Sequence, residues 1–181
     1  MSFLSMSNAS SPNQGVKWGL IAGAVGVAAG LIFYFTNPVK LQTLLFGAIE
    51  LAATAVCALM AGLERRKANG GSIEFKPVLQ PIFTTFVISM LIGVIFTYVM
   101  FNYVDPSLVV QMKQAHIADV RDNPGLYKAL GYTEDQYKAE LKQAETGEYG
   151  VTFAGSVITY LQKLIKSFIL SAILSLIVRR K

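Results

Sequence analysis

The stretch that decides the fold is residues 78–104, VLQPIFTTFVISMLIGVIFTYVMFNYV, which contains no charged residue in 27 positions. A helix of that length is about 40 Å long, and the hydrocarbon core of a bilayer is about 30 Å thick. In lipid, backbone N–H and C=O groups must pair within their own segment, which a helix achieves. The stretch therefore predicts a transmembrane helix.

Three further charge-poor stretches are long enough to cross a bilayer. Charged residues make up 15% of the 181 residues, against about 25% in typical soluble domains. So few charges cannot cover a soluble surface, and an apolar fraction of 53% excludes a disordered chain. The sequence predicts an all-α integral membrane protein with a single four-helix membrane domain over residues 16–181. The four spans are expected at residues 18–38, 41–62, 78–104 and 157–178.

The segment before the first span is predicted to be a disordered cytoplasmic tail, residues 1–15, because it is rich in Ser and Asn. The first apolar run extends from Trp18 to Val39 without a charge. It is longer than the roughly 7–15 apolar residues of a cleaved signal peptide. We therefore expect this run to stay in the protein as a span.

The distribution of basic residues predicts the orientation of the spans. Positive charges near helix ends stay in the cytoplasm, and four spans place both termini on the same side. That side would hold eight basic residues: Lys17, Arg65, Arg66, Lys67, Lys76, Arg179, Arg180 and Lys181. The other side would hold six basic residues: Lys40, Lys113, Arg121, Lys128, Lys138 and Lys142. We therefore expect both termini in the cytoplasm and the third loop on the other side of the membrane.

The third loop, residues 105–150, is predicted to form a short two-helix cap outside the cytoplasm. Ser107 after Asp105-Pro106 can cap a first helix that ends near Asn123-Pro124-Gly125. Thr133 and Gln136 form a capping-box pattern for a second helix. Solvated helices without a specific contact are the alternative interpretation.

Glycines recur along one face of the first span. Gly19, Gly23, Gly26 and Gly30 are separated by four, three and four residues, which places them on one helical stripe. Small residues at this spacing let helix backbones approach closely in lipid. We expect these helix-packing glycines to lie inside the bundle, and dimerisation through them is the alternative.

Glu50 is the most informative residue, because a carboxylate within a span is costly. It lies 12 residues from Gly62, and Lys166 lies 12 residues from Val178, so both would sit about 18 Å from the same boundary. An intramembrane ion pair between Glu50 and Lys166, with Lys163 as the other candidate partner, is therefore possible. Two alternatives stand beside it: a protonated Glu50 with outward-extended lysines, and a proton or ion pathway.

Several kinds of site are excluded by residue counts. The only cysteine, Cys57, cannot form an internal disulfide, and the only histidine, His116, cannot supply a two-histidine zinc motif. No phosphate-binding glycine loop and no serine nucleophile motif occurs. We expect no catalytic residue, no cofactor, no metal site and no nucleic-acid partner.

Three stretches resemble a family of small bacterial inner-membrane proteins, the domain-of-unknown-function family 4199, common in the Bacteroidota. They are Gly70-Gly71-Ser72-Ile73-Glu74-Phe75 before the third span, Asp105-Pro106 after it, and the serine-dotted last span ending in Arg179-Arg180-Lys181. The resemblance implies a four-helix membrane fold in the inner membrane with no assigned activity. It supplies no functional residues.

Two functional hypotheses follow for a protein that is not an enzyme. The first is a structural or regulatory membrane module whose partners are the lipid bilayer and either another membrane protein or further copies of the chain. The second is a small transporter or channel that uses the Glu50 and Lys166 level. Transport is ranked second because the spans contain few polar groups.

Overall fold

The computed structural model describes residues 13–42 and 44–179, and in that part of the chain the regular elements are helices. The predicted disordered tail lies mostly outside the described residues, although Gln14 and Gly15 already belong to the first helix. The long helices are α1, Gln14–Thr36; α2, Leu44–Ala68; and α3, Phe75–Val99, followed by a π-helical turn at Met100–Val104; a 3-10 turn, Pro38–Gln42, lies between α1 and α2. The remaining helices are α4, Leu108–Asp122; α5, Pro124–Ala129; α6, Glu134–Thr146; and α7, Phe153–Val178.

Four of these helices are long and apolar enough to cross a membrane: α1, α2, α3 with its π-helical turn, and α7. The predicted all-α membrane fold with four spans is thus confirmed. Each of these helices extends beyond one predicted bound of its span, as where Glu64 continues α2 and Lys76 lies in the first turn of α3. At the other bound α1 ends two residues early and α2 begins three residues late. Hydropathy predicts which part of a helix is apolar enough for lipid. It does not predict where the backbone hydrogen bonds of the helix end.

The chain divides into two compact units. The first unit holds the described residues of Met1–Val27, Glu50–Gly93 and Tyr160–Lys181. Its core is formed by α2, α3, α7 and the turn before α3, through Ala58, Ile73, Val78, Ile82, Phe86, Leu174 and Val178. The α1 segment packs on α3 through glycines, as Gly15 lies against Pro81 and Gly19 against Ile88.

The second unit holds Ala28–Ile49 and Val94–Thr159. Its core joins the 3-10 turn, the end of α3, the π-helical turn and the start of α4 through Leu41, Met100, Phe101, Leu108 and Met112. Helix α4 also packs against α6 and α5. The third loop is therefore a packed set of helices attached to the ends of the spans.

Local signals in the third loop have mixed outcomes. The capping box at Thr133 and Gln136 forms as predicted. Ser107 precedes α4 but its hydroxyl makes no cap; it donates instead to Asp105 Oδ1. Besides the two predicted helices, the Asn-Pro-Gly sequence opens a further short helix, α5, because Pro124 is favourable in a first helical turn.

Pro81 lies within α3 and not at its start. Helix α3 begins six residues earlier, so Pro81 lies inside the helix, where its missing N–H leaves a carbonyl without its usual donor. The carbonyl of Pro81 itself accepts the Thr85 hydroxyl at 2.9 Å. Thr85 Oγ1 is also 3.3 Å from the carbonyl oxygen of Gly15. The part of α3 that contains Pro81 therefore lies directly beside α1.

Candidate functional site

Glu50 is half-buried on α2, and its carboxylate lies between α1 and α3. A Cβ atom built on Gly93 of α3 would lie 2.6 Å from Glu50 Oε1, and one built on Gly26 of α1 would lie 3.7 Å from it. The absence of a side chain at residue 93 thus makes room for the carboxylate. The glycine spacing placed Gly26 on a packing stripe, but no sequence pattern linked it to Glu50.

A buried pair of hydroxyl groups lies one helical turn further along the same two helices. Thr54 Oγ1 and Ser89 Oγ are 3.0 Å apart. Thr54 follows Glu50 by four residues and Ser89 precedes Gly93 by four, so each pair shares a helix face. Helices α2 and α3 are antiparallel, so polar groups lie between them at two depths in the first unit, at Glu50 and at Thr54 with Ser89. The sequence prediction considered only charged residues and missed the hydroxyl pair.

Serines line the buried face of α7. Ser167, Ser171 and Ser175 are each 2% exposed or less, and their spacing of four residues places them on one stripe. Ser175 Oγ donates to the carbonyl of Ser171 at 2.6 Å, and Ser167 Oγ donates to that of Leu164 at 2.8 Å. Among the described residues, Ser171 Oγ has no hydrogen-bond partner. Small side chains on this face let the helix approach its neighbours closely.

The structure does not bring Glu50 together with either lysine of the last span. Among the described residues, neither Lys163 nor Lys166 lies within 4.0 Å of a carboxylate oxygen. Lys163 is half-buried and Lys166 is exposed. Residue spacing along the helices places Glu50 and Lys166 at the same depth in the membrane. It does not give the direction in which each side chain leaves its helix. Glu50 faces α1 and α3 instead.

Three of the four predicted helix-packing glycines lie against α3. A Cβ atom on Gly19 would lie 2.8 Å from Ile88 Cβ, and one on Gly23 would lie 3.0 Å from Ile92 Cβ. In the second unit, a Cβ atom on Gly30 would lie 2.5 Å from Phe96 Cε1. The fourth, Gly26, faces Glu50. The stripe therefore packs within the chain and also admits the carboxylate.

At one end of the first unit, charged side chains connect α1, α2 and α7. Glu64 of α2 accepts from Trp18 Nε1 at 2.7 Å and from Lys17 Nζ at 3.2 Å, both on α1. Arg66 Nη1 donates to the last helical carbonyl of α7, that of Val178, at 3.2 Å. A cation there is favourable because the C-terminal carbonyls of a helix carry partial negative charge. The start of α1 and the ends of α2 and α7 thus lie together.

Asp105 links the end of the third span to α4. It accepts from the Ser107 backbone N–H at 3.1 Å and from the Ser107 hydroxyl, and Tyr34 Oη donates to it at 3.2 Å. The hydrogen bond from the Ser107 hydroxyl lowers the pKa of Asp105 below its ordinary value, and the hydrogen bond from Tyr34 lowers it further. Asn102 completes the junction, since its Nδ2 donates to the carbonyl of Val151 at 2.8 Å.

His116 of α4 lies among side chains of α6 and of the segment before α7. Its Nε2 is 3.8 Å from Glu140 Oε1, and its ring lies 5.9 Å from that of Tyr149. Burial, followed by the charge of Glu140, raises the pKa of Tyr149. A cavity of about 580 Å³ lies beside this cluster, between α4 and residues 147–152, with Lys113, Ile117 and Tyr149 in its lining.

A second cavity, of about 480 Å³, lies at α5 and α6 with Leu130, Tyr132 and Gln143 in its lining. Both cavities open widely to the surface. In the described part of the chain, no three His, Cys, Asp or Glu side chains are grouped as a metal ion would require. The geometry of the third loop is therefore that of a surface with shallow recesses.

Comparison with known proteins gives one informative match. No curated protein matches the chain, and no solved structure matches it. A family model described as protein of unknown function (DUF4199) matches residues 17–180, which contain all four long apolar helices except the first residues of α1. Since the match covers nearly the whole chain, the protein belongs to the DUF4199 family.

Proposed function

We propose that this protein is a non-enzymatic membrane module that binds another membrane protein and stabilises or regulates it. The observation that carries the proposal is the third loop, in which packed helices display large apolar side chains. Leu126 is 54% exposed and Leu130 is 66% exposed. The two leucines are four residues apart, and a contiguous exposed apolar patch on a water-facing segment is typical of a protein-binding surface.

The attachment of this loop supports a regulatory role. Helix α4 packs against the 3-10 turn after α1, and Asn102 in the π-helical turn holds the carbonyl of Val151 just before α7. A protein bound to α5 or α6 would therefore act on helices that contact the ends of three spans. This coupling requires no catalytic group and no cofactor.

We further propose that the protein spans the bacterial inner membrane with both termini in the cytoplasm. The contacts of Lys17 with Glu64 and of Arg66 with Val178 bring the basic ends of α1, α2 and α7 together. Because basic residues flank the cytoplasmic ends of spans, this end would face the cytoplasm. The acidic third loop would then face the periplasm.

The experiment is affinity purification of the full chain in mild detergent, with quantitative identification of the proteins recovered. We expect one membrane protein to be recovered with the wild type and lost with Leu126→Ser/Leu130→Ser. Val25→Ser/Ile32→Ser on the exposed face of α1 is the matched control and should retain it. Tagging the recovered protein should in turn recover this chain. Purification of the wild type without any loop-dependent protein would contradict the proposal.

A further inference from the structure

The exposed face of α7 has a cation in the middle of an apolar surface. Lys166 is exposed and lies 13 residues after Phe153 and 12 before Val178, so it occupies the centre of the helix. Its neighbours on the helix include Ile165, which is 70% exposed, and Ile169, which is 61% exposed. Such a surface suits lipid except at Lys166 and at the uncharged Gln162, which is exposed one turn before it.

The lysine side chain is too short to leave the hydrocarbon region. Arg179 follows the end of α7, and Lys166 is about 18 Å from that end at helical rise. In a hydrocarbon core about 30 Å thick, the opposite boundary is then about 12 Å away. The four-carbon stem of lysine reaches about 6 Å. Extension towards either surface would leave the ammonium group well inside the core.

The chain itself supplies no counter-charge at this depth. Among the described residues, no carboxylate lies within ion-pair distance of Lys166. The carboxylate in the middle of α2, Glu50, lies between Gly26 and Gly93 of its own chain. A second copy would likewise hold its half-buried Glu50 between Gly26 and Gly93 of its own chain, where the carboxylate already has a place. The counter-charge must come from a different molecule.

We propose that the Lys166 face of α7 is a docking site for a transmembrane helix of another protein that carries a glutamate or aspartate near the middle of the bilayer. Ionisable groups within membranes pair with one another or with backbone carbonyls, because a charge exposed to the hydrocarbon is costly. Ile169 and Ile173 follow Lys166 by three and seven residues on the same face, with exposed fractions of 61% and 51%. They supply the apolar contact area, and the ion pair supplies specificity. The inference rests on the proposed function, since it names the chemistry of the partner.

Lys163 offers a matched control on the same helix. It lies one turn nearer to the Phe153 end, about 8 Å from that boundary by the same calculation. Its stem therefore brings the ammonium close to the interfacial region, and it is half-buried rather than exposed. Lys163 does not require a partner within the core, whereas Lys166 does.

The test uses the full chain in phosphatidylcholine vesicles and a polyleucine helix as the probe. One probe peptide carries a single central glutamate and the other carries glutamine, and energy transfer from the labelled chain reports association. We expect the glutamate peptide to bind at least about tenfold more tightly than the glutamine peptide. Lys166→Gln should abolish that preference, and Lys163→Gln should preserve it.

Three results would overturn the proposal: equal binding of the two peptides, a glutamate preference that survives Lys166→Gln, or loss of the preference when phosphatidylglycerol replaces part of the phosphatidylcholine. The last result would identify an anionic lipid headgroup as the counter-ion of Lys166. Circular dichroism of each variant in the vesicles checks that it is folded. A failure here with retention of the loop-dependent protein described above would remove this inference and leave the proposed function standing.

Discussion

At the scale of single residues, Gly19 and Gly26 of α1 differ in what an added methyl group would meet. At Gly19 the methyl would lie 2.8 Å from Ile88 Cβ and 3.2 Å from the Thr85 carbonyl, neither of which moves without its helix. At Gly26 it would lie 3.7 Å from the end of the flexible Glu50 side chain. We expect Gly19→Ala to lower the free energy of unfolding by about 1–3 kcal/mol, and Gly26→Ala to leave it unchanged or raise it, since alanine favours helix. Thermal unfolding in detergent, followed by circular dichroism, measures both; equal effects would show that α1 does not pack on α3 as described.

Glu50 and Lys166 are expected at the same depth in the membrane, but they are not in contact. Their energetic coupling can therefore be predicted. Glu50→Gln and Lys166→Gln should change the free energy of unfolding independently, with a coupling energy below about 0.5 kcal/mol in a double-mutant cycle. Glu50→Gln preserves the shape that fits beside Gly93, so it should not destabilise the fold. The denaturant midpoints of the wild type, both single variants and the double variant give the coupling energy. A value of about 1–3 kcal/mol would instead show that the two residues form an ion pair in the membrane.

At the scale of elements, the junction of α3 with α4 depends on the charge of Asp105. Its pKa is lowered by the Ser107 hydroxyl, so the ionised carboxylate is favoured in the folded junction. The stabilisation is therefore fully present above the ordinary pKa, 3.8, and is lost as the pH falls through the lowered value. We expect amide hydrogen exchange at the start of α4, corrected for the intrinsic rate, to become faster below about pH 4. Asp105→Asn should show faster exchange already at neutral pH, and Tyr34→Phe a smaller change. Exchange that is independent of Asp105 would contradict this account of the junction.

The elements also show what sequence reasoning can and cannot reach. Spans and caps are local: an uncharged run predicts α3, and Thr133 with Gln136 predicts the start of α6, because each signal lies within the element that it forms. The π-helical turn at Met100–Val104 was missed, since no local signal in its sequence marks it, and its Met100 and Phe101 pack with residues distant in the chain, Leu41 and Leu108. The Glu50 environment was missed for the same reason. Residue spacing predicts the depth of Glu50 in the membrane. The direction of its side chain, however, depends on Gly26 and Gly93 in two other helices.

At the scale of the whole molecule, the proposed orientation in the membrane rests on the arrangement of charge. Lys17 and Arg66 are held by Glu64 and by the end of α7, so they mark one end of the first unit. The described third loop has α6 with Glu134 and Asp135 in its first turn, and Lys138 lowers the pKa of Glu134. Basic residues at one end and a net acidic loop elsewhere favour a single orientation, because the translocation of basic segments is disfavoured.

The orientation can be tested with cysteines placed on both sides of the predicted membrane. The native Cys57 is buried and is replaced by Ser to give a background without thiols. Asn69→Cys lies in the exposed turn after α2, and Lys128→Cys lies on the exposed surface of α5. With both termini in the cytoplasm, a membrane-impermeant maleimide added to intact spheroplasts should label residue 128 and should reach residue 69 only after the membrane is opened. The reverse pattern would invert the topology and place the third loop in the cytoplasm. Labelling of both residues in intact spheroplasts would mean that the chain between α2 and α5 does not cross the bilayer an odd number of times, which is incompatible with α3 as a span.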